Sequence, residues 1–132
     1  MDVECRYGFG KKSESSFQEV LARVEKLLHS YGFEIHSRIN VADIFSGKDD
    51  LPFKRYLIIG ACRPDFAEEA FTADPNIGLL LPCNIVIYED FCGQVTIMAK
   101  DPVHMMDLLE DPRAVVAASK VKFELEQLIE EF

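Results

Sequence analysis

Apolar residues recur at spacings of three and four in two long stretches of the chain. The first stretch follows Ser15 and Ser16, which are suited to cap a helix, and stops at Gly32. Its apolar positions are Phe17, Val20, Leu21, Val24, Leu27, Leu28 and Tyr31. The second starts at Asp111-Pro112 and repeats to the last residue through Ala118, Val121, Leu125, Leu128 and Phe132. Both patterns predict amphipathic helices.

Shorter segments have the alternation or the composition of β-strands. They are residues 6–14, 34–41, a run from Tyr56 through Ile59 that ends near Cys62, Cys83 to Glu89, and Gln94 to Ala99. In the second segment Ile35, Ser37 and Ile39 fall on one side, and Ile44 and Phe45 are a candidate extension. Residues 46–52 and 90–93 have turn composition. Short helices are predicted after Arg63 and from Asp101-Pro102. The second of these helices carries Val103, Met106 and Leu109.

This order of elements predicts one domain, residues 1–132, of the α+β class. We expect a single, mostly antiparallel sheet of about five strands with the helices packed on one face. Residues 56–59 and 85–88 are apolar at both strand parities, so the second face also needs a cover. A second copy of the chain is the simplest cover, and we predict a homodimer through the sheet.

Charge narrows the range of partners. Fourteen basic and 23 acidic residues leave a net charge of −9, which disfavours nucleic acid and anionic membrane surfaces. The first residues lack the pattern of a secretory signal, and no apolar run approaches the roughly 18 residues of a membrane span. We therefore expect a cytoplasmic protein without a membrane partner, with its four cysteines reduced.

Cys62 and Cys83 are the first candidates for chemistry. They fall at the end of one predicted strand and the start of another, so neighbouring strands would bring the two thiols together. A helix starting after Arg63 would also lower the pKa of Cys62, giving a thiol redox or sulfur-handling site. The alternative is that both are small buried side chains.

The proline-bounded loop of residues 79–84 is the second candidate. Its leucines would line an apolar cleft for a small ligand, with polar contacts from neighbouring side chains; the candidate ligand-binding residues are Lys54, Arg63, Leu80, Pro82 and Asn84. The alternative is that the leucines fill space between helix and sheet, or pack across the dimer. Histidine spacing matches no metal site, and no phosphate loop or catalytic triad is recognisable, so we predict no metal, no cofactor and no catalytic motif.

The middle of the chain resembles the bacterial and archaeal domain-of-unknown-function family 302. The resemblance is carried by residues 53–64, Ala67, 70–71, 73–75, 77–84 and Asp101-Pro102. It implies a TATA-binding-protein-like sheet with β-α-β(4)-α order, here with short inserted helices, and a dimer. The chain departs from the family pattern at Arg63 and residues 66–69, where other members often carry a polar residue, a second proline and a histidine.

Three classes of function follow from these residues. A dimeric module that binds or senses a small, partly apolar ligand is favoured first. A thiol-dependent redox or sulfur-handling protein that uses Cys62 and Cys83 is second, and a structural partner protein is third.

Overall fold

Six strands form one antiparallel sheet in the computed structural model, which describes residues 2–45, 50–106, 108–109 and 111–132. The strands lie in the spatial order β1-β2-β6-β5-β4-β3. Their bounds are β1 Val3–Cys5, β2 Gly8–Ser13, β3 Glu34–Asn40, β4 Arg55–Cys62, β5 Cys83–Glu89 and β6 Val95–Lys100. The expected α+β architecture, with a single antiparallel sheet of about five strands, is confirmed, and the sixth strand is the short β1.

Four α-helices accompany the sheet in the described ranges: α1 Phe17–Ser30, α2 Pro64–Ala73, α3 Pro102–Met106 and α4 Pro112–Glu130. Short 3-10 helices span Val41–Asp43 and Pro75–Leu80. The predicted caps form, because the Ser16 hydroxyl accepts a hydrogen bond from Glu19 N–H at 3.2 Å and the Asp111 carboxylate accepts one from Arg113 N–H at 2.9 Å.

The helices cover one face of the sheet, which we call the covered face. On this face Ile59 of β4 pairs with Ile85 of β5, and Ile87 of β5 pairs with Ile97 of β6; all four isoleucines are fully buried. The stripes of α1 and α4 pack against them through Val20, Val24, Leu28, Val121, Leu125 and Leu128, all of which are 2% exposed or less. This is the hydrophobic core of the domain.

The other side of the sheet, the open face, carries no helix in the part of the chain that the structure describes. Strand alternation places Tyr56, Ile58, Val86, Tyr88 and Met98 there. All five are half-buried, in contrast to their neighbours on the covered face.

One strand was not predicted, and one predicted alternation was wrong. The strand predicted over residues 6–14 corresponds to β2, but the sequence did not indicate the three-residue β1 that forms a hairpin with it. In β3 the register shifts between Ile35 and Ser37, so Ile35 pairs with Ala61 but Ile39 pairs with Ile58. The bulge moves these two isoleucines to opposite faces, because one extra residue inverts the alternation that follows.

Ile44 and Phe45 do not extend β3. They follow the 3-10 helix and are 62% and 40% exposed. The predicted turn at residues 46–52 lies partly outside the described residues, as does the side chain of Met106 that was predicted to face the core.

Candidate functional site

A groove runs across the open face of the sheet, with a volume of about 430 Å³. We call it the sheet groove. It crosses five strands, and its lining residues are Val3, Glu4, Cys5, Tyr7, Gly8, Tyr56, Asn84, Val86, Tyr88, Met98, Ala99 and Lys100. Its volume lies in the range of small-molecule sites in proteins.

At one side of this groove, Gly8 and Gly10 of β2 place no side chain on the open face. A Cβ on Gly8 would lie 2.8 Å from the Ala99 carbonyl oxygen, and one on Gly10 would lie 2.0 Å from that of Ile97. No side chain fits at either position, because the obstructing atoms belong to the backbone of β6. The strand therefore requires both glycines, and the space above them is bounded by the side chains of Cys5 on β1 and Met98 on β6.

Aromatic side chains form the opposite wall. The rings of Tyr56 and Tyr88 stack with centroids 5.3 Å apart and planes 9° apart, and Phe53 packs against Tyr56 at 5.1 Å. Burial raises the pKa of Tyr56, and the phenols of Tyr88 and Tyr7 raise it further. Tyr56 is therefore a neutral phenol at physiological pH, able to donate a hydrogen bond into the groove.

Lys100 lies at the end of β6, at one end of the groove. Its ammonium donates hydrogen bonds to the carbonyl oxygens of Leu80 at 2.6 Å and Pro82 at 3.0 Å. Burial lowers the pKa of Lys100, since removal from water disfavours the charged amine, while the thiols of Cys83 and Cys62 act in the opposite direction. The Leu80–Pro82 segment is thus tied to the sheet by a half-buried cation.

The five candidate ligand-binding residues do not form one cluster. Leu80, Pro82 and Asn84 gather around Lys100, and Asn84 lines the groove. The Pro82 ring packs on Gly60, where an added Cβ would lie 2.9 Å from Pro82 Cγ.

The other two candidates lie elsewhere. Lys54 precedes the far end of β4, six residues from Gly60 and thus about 20 Å away along the strand. Arg63 caps α2 and forms ion pairs with Asp65 and Glu124.

The leucines of the 79–84 segment mainly fill space. Leu80 and Leu81 pack against the core, the nearby Ile77 is 1% exposed, and only Leu79 points into solvent, at 88% exposed. This arrangement corresponds to the packing alternative for the segment. The groove that the structure contains lies beside it, on the sheet.

The two internal cysteines are adjacent but lie on opposite faces. Cys83 pairs with Ala61 on the covered face and is 2% exposed, whereas Cys62 follows Ala61 and is half-buried. Burial raises the pKa of Cys62, opposed by the Cys83 backbone N–H and by Lys100, and burial raises that of Cys83 to about 11. The expectation of a lowered pKa at Cys62 was wrong in direction, since burial outweighs the helix start.

A second depression, of about 670 Å³, lies between α2 and α4. It is lined by charged side chains from both helices, among them Asp65 and Arg113. Asp65 pairs with Arg63 and Arg113 pairs with Asp111, while Glu68, Glu69 and Lys120 form no ion pair among the described residues. Its lining residues include no aromatic ring and, apart from Pro112 and Val116, carry polar or charged side chains, so this depression suits a partly apolar ligand less well than the sheet groove does.

Within residues 2–45, 50–106, 108–109 and 111–132, no three acidic, histidine or cysteine side chains are grouped as metal ligands. Across the same ranges, none of the helices has the length and apolarity needed to cross a membrane.

Sequence reasoning missed Lys100. Lys100 directly follows the predicted strand Gln94 to Ala99, which indicates a residue at the end of the sheet. The strand pattern alone does not show which groups the ammonium contacts. The convergence of Tyr7, Tyr56 and Tyr88 was also missed, because it depends on pairing registers between β2, β6, β5 and β4.

The fold and the groove define a one-domain α+β protein with helices on one side of its sheet and a small-molecule-sized groove on the other. The model of the domain of unknown function DUF302 matches residues 9–132, and the chain belongs to that family. The crystal structure of an uncharacterised conserved DUF302 protein from Bacillus stearothermophilus is similar in fold, with a TM-score of 0.84 and 21% identity. The similarity covers 96% of this chain and 98% of that one. No curated protein matches the chain.

Proposed function

We propose that this protein is a homodimeric module that binds a small, partly apolar ligand in the sheet groove. The observation that carries the proposal is the open face itself, where a stacked tyrosine pair and half-buried aliphatic residues surround a groove with a cationic end. A cytoplasmic location remains the prediction made from the sequence.

Exposed apolar area on the open face favours a second copy of the chain as its cover. Tyr56, Ile58, Val86 and Met98 lie in adjoining positions on β4, β5 and β6, and Ile39 on β3 adds a side chain that is 43% exposed. A contiguous apolar patch of this kind marks an interaction surface. A twofold arrangement would bury the same patch on both copies, with the sheets about 10 Å apart, as in other stacked sheets.

The residues that line the groove favour a small, partly apolar ligand. Val86, Met98 and the tyrosine rings offer apolar surface, and a few polar groups, chiefly Lys100 and Asn84, stand at one end. Small-molecule sites typically combine an apolar lining with a few oriented polar groups. A dimer that covers the open face would also enclose the groove and exclude water from it.

The thiol alternative is less well supported. A reactive thiol needs a lowered pKa and access to solvent, whereas the pKa values of Cys62 and Cys83 are both raised and Cys83 is buried against the helices. Both side chains are accounted for as packing groups at the ends of β4 and β5.

Sedimentation tests the dimer. We expect the wild-type protein at micromolar concentration to sediment at twice the 15.0 kDa chain mass, and Val86→Asp to sediment as a monomer, because it places an unpaired charge in the interface. Val116→Asp is the matched control, since Val116 is 57% exposed on α4. A wild-type protein that sediments only as a monomer contradicts the dimer.

Differential alkylation tests the groove. Cys5 lines it and is exposed, and Cys92 is exposed in the β5–β6 turn, outside the lining. In a ligand screen by thermal shift, compounds that stabilise the protein should slow iodoacetamide modification of Cys5 and leave Cys92 unchanged. Stabilisers that protect both thiols equally, or no stabiliser across a broad library, would count against this site.

A further inference from the structure

Lys100 carries a charge that the described protein leaves without a counter-ion. Across residues 2–45, 50–106, 108–109 and 111–132, the ion pairs involve other cations, and no carboxylate lies within ion-pair distance of its ammonium. The neighbouring Asp101 is engaged by Lys122 at 2.9 Å. The partners of Lys100 are two neutral carbonyls, which leave one of its three N–H donors for another acceptor.

Asn84 provides a second polar group at the same end. Ile85 pairs with Ala99 at the end of the β5–β6 ladder, so Asn84 and Lys100 follow that pair at the same edge, and both line the groove. Asn84 is exposed, and its amide has no hydrogen-bond partner in the part of the chain that the structure describes. An ammonium next to a free amide offers two kinds of N–H donor to one anionic group. No arginine lines the groove beside them, so the donor set suits a monoanion better than a phosphate.

The rest of the groove limits the size and shape of the apolar body that carries the anionic group. From Asn84 to Tyr88 the floor extends four residues, or about 13 Å, with Val86 between them. The stacked Tyr56 and Tyr88 rings offer a flat wall at the far end. A flat or narrow apolar body about one or two rings long fits between these limits.

We infer that the sheet groove binds a small carboxylic acid with a flat apolar body, its carboxylate held by the Lys100 ammonium and the Asn84 amide. This inference rests on the proposed function and adds the chemical class of the ligand. The net charge of −9 has little effect from a distance, because charges more than about 8 Å away are largely screened at physiological salt. Among the groove's lining residues Glu4, on β1, is acidic, and it does not form an ion pair with Lys100.

Matched probes test binding in the sheet groove and the preference for a carboxylate separately. The probes are 2-naphthoate, 2-naphthamide and 2-naphthyl phosphate, supplemented by the benzoate–benzamide and octanoate–octanamide pairs. Binding is measured as protection of Cys5 from iodoacetamide with Cys92 as the internal reference, and by the shift of the Met98 methyl resonance in protein labelled with ¹³C-methyl methionine.

We expect at least one acid to bind about tenfold to a hundredfold more tightly than its amide, the range for a hydrogen bond to a charged group. Lys100→Met should remove that difference, and Lys100→Arg should retain part of it. Lys12→Met is the control, because Lys12 lies on the same sheet face but outside the groove lining. It should leave the acid–amide difference unchanged.

Because Lys100 also holds the Leu80–Pro82 segment, Lys100→Met requires a check of its folding by circular dichroism. If it does not fold, the acid–amide comparison in the wild type and in Asn84→Ala decides the question. Equal binding of acids and amides, or preference for the phosphate, overturns the carboxylate assignment and leaves the groove proposal standing. Absence of Cys5 protection and of a Met98 shift with every probe overturns both.

Discussion

The two faces of the sheet differ although the same strands build them. On the covered face, Ile85 and Ile87 of β5 are fully buried under α1 and α4; on the open face, Val86 and Tyr88 of the same strand are only half-buried. A strand that faced water on one side would normally alternate apolar and polar residues. The open face departs from that alternation, which is the basis of our proposal that it is a contact surface, and the covered face forms the hydrophobic core of the domain.

The largest predicted loss of stability distinguishes two adjacent residues of β5, Ile85 and Val86. Ile85→Ala should lower the free energy of unfolding by about 2–5 kcal/mol, because it leaves a cavity in the closed core. Val86→Ala should lower it by about 1 kcal/mol or less at concentrations too dilute for association. Urea unfolding measures both. Equal losses would mean that the open face is as tightly packed as the core.

The next effect depends on pH. Since the folded-state pKa of Cys83 is about 11 against an ordinary 9.0, its buried thiol contributes stability that is complete below pH 9 and lost as pH rises through 11. The loss is about 2–3 kcal/mol for a shift of this size. The pH dependence of the free energy of unfolding is measured for the wild type and for Cys83→Ala. The difference between the two curves isolates the contribution of the Cys83 thiol from that of tyrosines and lysines that titrate in the same pH range. A difference that stays flat from pH 8 to about 11 would show that the thiol is not shielded by the covered face.

Gly10→Ala comes next, with an expected loss of about 1–3 kcal/mol, because its Cβ would be forced against Ile97 O at 2.0 Å and Met98 Cα at 2.8 Å. Gly78→Ala is the control, because its nearest neighbour would be Phe71 at 3.7 Å, an ordinary contact. Thermal unfolding of the pair measures the difference. If Gly10→Ala is no more harmful than Gly78→Ala, β2 does not approach β6 as closely as described.

The smallest effect on stability is expected at Asn84. Asn84→Ala should change the free energy of unfolding by less than about 0.5 kcal/mol, because its exposed amide makes no hydrogen bond within the described ranges. It should nevertheless weaken binding of carboxylic acids. A clear loss of stability in the ligand-free protein would assign Asn84 a structural role.

Local patterns were sufficient to predict much of the covered face. The stripes of α1 and α4 and the bounds of β5 came from periodicity and from the proline and serine caps, which act within a few residues of sequence. The bulge in β3 was not predictable in this way, because Ile35, Ser37 and Ile39 keep a period of two in the sequence while the backbone does not. The three-residue β1 is too short to show a period.

The open face was predicted only in outline. Apolar residues at both parities of β4 and β5 indicated a second contact surface, but the groove depends on how five strands are registered. Of the proposed ligand-binding residues, Asn84 lines the groove and Leu80 and Pro82 bind the Lys100 ammonium, while Arg63 is held by carboxylates. Binding by any of these residues remains a prediction.

We propose that the open face is covered in solution by a second copy of the chain. Paramagnetic broadening by a soluble gadolinium chelate tests it at the residues concerned, in protein with ¹³C-labelled valine and leucine methyl groups over a concentration series. We expect the Val86 methyl signals to become protected from broadening as concentration rises, while those of Val116 and Leu79, which are 57% and 88% exposed, stay broadened. If Val86 broadens to the same extent at every concentration, no second copy covers the open face.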